Sequence, residues 1–130
     1  MERDAVIVAG FGFRATADLS ALKAALASAQ QGLPLVTALA TPHDKLNLLT
    51  DLAEAMMLPI VAVSPAQLQA AVTHTSSLAS LDARGTGSVA EASALAGAGP
   101  GARLLTTRHI SPDHMATCAI ARSGAEGFHA

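Results

Sequence analysis

The residues Gly10-Phe11-Gly12-Phe13-Arg14-Ala15-Thr16 follow the apolar run Val6-Ile7-Val8-Ala9, and an order of strand, paired glycines, cation and cap residue is suited to holding an anion. Glycine permits positive φ and close backbone approach, while the free N–H groups opening a helix carry the positive end of its dipole. Gly85-Thr86-Gly87-Ser88 repeats the arrangement before a later helix. Arg14 offers a fork for a carboxylate. Lys45 offers a mobile point charge, placed in the first turn of a helix where a cation is slightly unfavourable. Together these features point to a ligand rich in carboxylates or phosphates.

Each residue also has a structural reading. The glycines can serve tight turns, Arg14 an ion pair, and Ser88 with Glu91 a capping box, whose spacing they match. His43, after Pro42, is an exposed loop histidine that can shuttle protons near neutral pH. His109 and His114 flank a turn with no third ligand nearby in sequence, so neither a metal site nor a cofactor is expected. Cys118 reads as an inert core residue, and Met56 and Met57 as packing. Gly10 to Ala15 also satisfies the Gly-x-Gly-x-x-Gly/Ala fingerprint formally, so an NAD(P)-binding Rossmann-like module is the rival reading. Against it, the second strand ends in Ala40-Thr41, where a ribose-binding acid would stand.

These residues need a scaffold, and 130 residues are enough for one domain with its own core. A lone cysteine and the lack of a charged-then-apolar leader suit a cytoplasmic protein. No apolar run approaches the roughly 20 residues that span a bilayer, so no membrane partner is expected. Eight Lys plus Arg against ten Asp plus Glu give a net charge of −2, and there is no Trp or Tyr. Nucleic acid is disfavoured as a partner, since it calls for clustered cations and aromatic platforms.

Strands and helices alternate. The run Asp4 to Ala9 predicts a strand covered on both faces. Thr16 predicts a helix cap, with Asp18 in the first turn, Leu19, Leu22 and Leu26 on one face, and Gly32 as the stop. Leu35 to Ala40 is the second strand. Asp44 caps a second helix with Leu49, Leu52 and Met56 buried, and Ile60 to Val63 is the third strand. Ser64-Pro65-Ala66-Gln67 has the capping-box spacing, opening a short helix to about Val72. Residues 73–86 form a loop of a length that suits a functional role. A helix from Ser88 to about Ala98 follows, then two strands, Leu104 to Ile110 and Ala116 to Ala121, joined by Ser111-Pro112-Asp113-His114. The predicted fold is a single-domain three-layer α/β/α sandwich, with a mostly parallel sheet and a C-terminal antiparallel hairpin, over residues 1–122, with 123–130 as a tail. Gly10 to Thr16, Thr41 to Lys45 and Ser64 then share the rim at the carboxyl ends of the strands.

At this point the chain resembles the CobE proteins and the C-terminal domain of CbiG, from cobalamin biosynthesis. The resemblance rests on Gly10, Gly12, Arg14 and Thr16, on Ala40-Thr41 with Lys45, on Gly85 and the following Ser88-Val89-Ala90-Glu91-Ala92, and on Ala116 to Ala121. It covers nearly the whole chain, and the Ser-Val-Ala-Glu-Ala segment is its most specific part. Departures fall at Phe13, where the family commonly has cysteine, and at Ala15, where it has a second arginine. The resemblance implies work on a precorrin or corrin intermediate, in the oxygen-dependent branch, with methyltransferases of the pathway as further partners. The candidate ligand-binding residues are Gly10, Gly12, Arg14, Thr16, Thr41, Lys45, Gly85, Thr86, Gly87, Ser88 and Glu91. No nucleophile, base and orienting partner cluster in the sequence, which favours a binding protein or chaperone over an acetaldehyde-releasing precorrin hydrolase of the CbiG kind.

Overall fold

The computed structural model describes residues 6–14, 17–42, 46–64, 66–67, 89–99 and 101–123. Its elements are β1 (Ile7–Phe13), α1 (Leu19–Gln30), β2 (Ala38–Pro42), α2 (Leu46–Met56), β3 (Ile60–Val63), α3 (Val89–Ala98), β4 (Arg103–Ile110) and β5 (Ala116–Arg122). The five strands form one sheet in the order β3-β2-β1-β5-β4. β1, β2 and β3 run parallel, while β5 lies antiparallel between β1 and β4. This is the expected mostly parallel sheet ending in a hairpin.

Alternation along the strands builds two cores. Ile7, Ala9, Phe11, Leu39, Cys118 and Ile120 face α1 and α2, together with Leu22, Leu26, Leu49 and Leu52. Val8, Ala38, Ala40 and Val63 face the other way, against Ala92 of α3. Burying each leucine stabilises by about 1.5–3 kcal/mol, so the first core carries most of the apolar energy. The second is built from small side chains, and its energy comes from close contact.

Local signals place several elements. Ser64 and Gln67 form the predicted capping box: the Ser64 N–H donates to Gln67 Oε1 at 2.9 Å, and the Gln67 N–H donates to Ser64 Oγ at 3.2 Å. Gly32, at φ +74°, follows α1 as its stop. In the β4–β5 turn the Ser111 hydroxyl donates to Asp113 Oδ1 at 2.6 Å and accepts the N–H groups of Met115 and Ala116 at 3.2 and 3.1 Å. His114 takes the left-handed conformation at φ +63°. β4 carries two irregularities, where its register with β5 shifts between Leu104 and Thr106 and again between Thr106 and His109.

Other expectations are corrected. The cap of α1 is Asp18, whose Oδ1 accepts the Ala21 N–H at 2.9 Å. Thr16, the predicted cap, lies outside the described residues, two positions upstream of it. β2 begins at Ala38 and runs through Pro42, because Leu35 stays 81% exposed before it. Met56 is 36% exposed and Ala53 completes the buried stripe of α2. The cap at Asp44, the helix beyond Gln67, the loop 73–86 and the tail beyond Ser123 lie outside the described residues. Ser123 itself donates its N–H to the Val6 carbonyl at 2.8 Å.

The Asp113 carboxyl is held below its ordinary range by the Ser111 hydroxyl and then by the Met115 N–H. A group whose folded value is lowered stabilises above its unfolded value and loses that contribution as pH falls through the folded one. The turn is therefore expected to loosen below about pH 4. Amide exchange at Met115 against pH checks this; in Asp113→Asn that acid dependence should be absent.

Candidate functional site

The described candidate residues gather where the parallel strands end. Along the register, Gly10 stands beside Ala40 on β2 and Gly12 beside Thr117 on β5; β2 continues past Ala40 through Thr41 to Pro42, which stands beside Val63 on β3. α3 runs back over this sheet. A Cβ built on Gly12 would lie 3.2 Å from the Val89 Cβ, one on Gly10 would meet Ala90 and Ala94, and one on Gly97 would meet Ala40 and Val8. The first residue of α3 is thus seated on the end of β1, and the helix N-terminus opens beside the point where Arg14 leaves the sheet.

The expected glycine turn is not there. β1 continues through Gly10 and Gly12 to Phe13 and pairs with β5 at every position, with neither glycine at positive φ. The ladder absorbs their backbone groups, so this pair presents no cradle of free N–H groups. Gly10 is needed instead for the approach of α3, since a Cβ there would stand 2.2 Å from the Ala94 N. The dinucleotide fingerprint fails on the same ground, because it requires its glycines in the strand-to-helix turn.

Arg14 is exposed at the rim. Its N–H donates to the Met115 carbonyl at 2.9 Å, and its Nε lies 3.4 Å from the His114 carbonyl oxygen, which fixes the backbone and leaves the fork available. Thr41 is fully buried, its hydroxyl donating to the Phe11 carbonyl at 3.2 Å. Thr117 similarly donates to the Gly12 carbonyl at 3.2 Å. Glu91 is 0% exposed, and its Oε2 accepts the Arg108 N–H at 3.0 Å. Arg108 has no register partner on β5, because it falls in the second irregularity of β4. Lys45, Thr16, Gly85, Thr86, Gly87 and Ser88 lie outside the described residues, as does His43.

Two contacts were not legible in the sequence. Val89 and Thr117 meet at Gly12 only through the fold. His109 is held by the Ser28 hydroxyl at Nδ1 and the Thr106 hydroxyl at Nε2, both at 3.0 Å. No spacing in the chain advertises that clasp, since Ser28 is 81 residues away. Cys118 is fully buried, and burial pushes its thiol well above the usual range, which leaves it unreactive. Among the described residues, no group of three His, Cys, Asp or Glu side chains could hold a metal ion. No helix among them is long and apolar enough to cross a membrane.

With this geometry in view, likeness to known proteins becomes informative. The solved structure of CobE, a protein from the cobalamin (vitamin B12) biosynthetic pathway, is similar at 30% identity and a TM-score of 0.83, over 94% of this chain and 93% of that one. The cobalamin biosynthesis protein ChiG from Agrobacterium tumefaciens is similar at 36% identity and a TM-score of 0.70, over 91% and 98% of the two chains. A putative cobalamin biosynthesis protein G homolog from Sulfolobus solfataricus shares the fold at 14% identity and a TM-score of 0.69, over 92% of this chain but 37% of its own. No curated protein gives a match. Residues 7–121 match the family described as cobalamin synthesis G C-terminus, so nearly every described element falls inside it. The chain therefore belongs to the cobalamin synthesis G C-terminal family and is a protein of cobalamin biosynthesis.

Proposed function

We propose that this protein binds a precorrin or corrin intermediate of the oxygen-dependent branch at the rim where β1, β2 and β3 end. Corrin precursors carry acetate and propionate arms around a broad apolar ring, so their binding calls for separated positive points rather than one deep pocket. The observation that supports this reading is the seating of Val89 on Gly12, which brings the start of α3 to the end of β1, two residues before the exposed Arg14. A helix N-terminus favours an anion by about 0.3–1 kcal/mol, and by up to about 2 when partly buried. A guanidinium fork on a carboxylate is stronger, at about 1.5–3 kcal/mol. Arg14 should therefore dominate, with the α3 terminus orienting a second arm and Lys45 a third.

Binding suits the described residues better than catalysis. Thr41 and Glu91 are buried and committed to backbone partners, and Cys118 is sealed, so none of them presents a nucleophile or base at the rim. The reading is of a carrier or chaperone for an unstable intermediate, serving methyltransferases of the pathway. The second reading, a precorrin hydrolase, requires product formation by this chain alone.

Titration with hydrogenobyrinic acid, followed by its visible absorbance, tests both. Saturable binding is expected, weakening as salt rises because the screening length shortens from about 30 Å at 0.01 M to about 3 Å at 1 M. Arg14→Ala should raise Kd roughly tenfold or more. Salt-insensitive binding, or an unchanged Kd in Arg14→Ala, would overturn the rim, and turnover of a purified precorrin would replace the carrier with the enzyme.

A further inference from the structure

The end of the sheet opposite the rim holds two arginines in an unusual relation. Arg122 on β5 stands directly opposite Arg103 on β4 and, on its other side, opposite Ile7 on β1. Directly opposed residues of an antiparallel pair share a face and lie close, and like charges so placed repel. Ile7 belongs to the core under α1 and α2, so both guanidinium groups leave the sheet on that side. The Arg122 Nε is buried with no hydrogen-bond partner. Neither arginine has a carboxylate partner among the described residues.

We infer that Arg103 and Arg122 form a binding site for a doubly charged oxyanion, either a phosphate group or a dicarboxylate. A guanidinium fork matches both groups in geometry, and two forks on one face match two negative charges. An oxyanion held by the outer nitrogens of the two guanidinium groups turns the repulsion into a bridge. The site is separate from the rim, since the strand from Ile7 to Phe13 spans about 20 Å at a rise of about 3.3 Å per residue. It stands or falls independently of corrin binding.

The test is thermal melting at pH 7 and fixed ionic strength with inorganic phosphate, succinate or chloride as the anion, for the natural chain, Arg122→Met and Arg103→Glu. Phosphate or succinate at several times its dissociation constant should raise the Tm of the natural chain by about 3–5 °C over chloride. Whichever anion acts identifies the ligand class, and neither variant should respond. In chloride alone, Arg103→Glu should melt above the natural chain, because it converts the opposed like charges into an ion pair. Equal anion shifts in all three proteins would overturn the site, as would a lower Tm of Arg103→Glu in chloride. NMR of the Arg122 Nε–H gives an independent reading: its resonance should move on addition of the active anion and stay fixed with chloride.

Discussion

Gly10→Ala is expected to be the most damaging single methyl that can be added to this protein. The new Cβ would fall 2.2 Å from the Ala94 N, 2.3 Å from the Ala90 carbonyl oxygen and 2.8 Å from the Ala94 Cα, all of them backbone atoms. Comfortable separation is about 3.5–4.0 Å, so α3 must retreat by more than 1 Å. Helix backbone cannot swing aside as a side chain can. Retreat would also draw Ala92 and Gly97 off Val8 and Ala40, in a core that holds through closeness alone. The cost is about 3 kcal/mol or more, at the upper end for overpacking, and lowers Tm by about 10 °C. Gly12→Ala is the matched control. There the nearest atoms are the Thr117 Oγ1 at 3.1 Å and the Val89 Cβ at 3.2 Å, which shift easily, so about 1 kcal/mol is expected. Equal losses in the two variants would show that α3 does not press on Gly10.

The second large effect is expected at Glu91. Its carboxylate is fully enclosed and accepts the N–H of Arg108, an amide that the irregular β4–β5 pairing leaves over. Glu91→Ala removes the acceptor of the Arg108 N–H and opens a void beside the small-residue core. Together these should cost about 2–4 kcal/mol. Glu91→Gln keeps an acceptor oxygen and the volume, and should lose less. Urea unfolding measures the difference, and amide exchange locates it: the Arg108 N–H should lose protection in Glu91→Ala ahead of the rest of β4. If corrin binding falls in Glu91→Gln while stability holds, Glu91 touches ligand and its main role is at the rim.

Those two residues show where the sequence was readable and where it was not. Ser64 and Gln67 could be paired on paper because both partners of that box sit within four residues, and the Ser111-Pro112-Asp113-His114 turn was legible for the same reason. Ile60 to Val63 was recognisable as a short apolar run after a proline. The family resemblance was legible from ordered motifs across the chain. Gly10 and Gly12 were misread because their neighbours lie on a helix about eighty residues away, and nothing local separates a glycine that bends the chain from one that makes room. Asp18 caps α1, and the sequence alone leaves the choice between two cap-forming residues two positions apart undetermined. Of the rim, Arg14 could be foreseen as an exposed cation, while the contact of Val89 with Gly12 depended on how α3 crosses the sheet.

The two register shifts in β4 have a consequence for the life of the molecule in a crowded solution. β4 is an outer strand, and a regular one would offer its free side as a template for a strand from a neighbouring molecule. Extra residues kink and twist that margin, so that its outer backbone groups no longer line up as a regular template. The same irregularity that calls for a buried acid thus guards against fibre growth, and a protein with its bulges straightened would be expected to polymerise from this side.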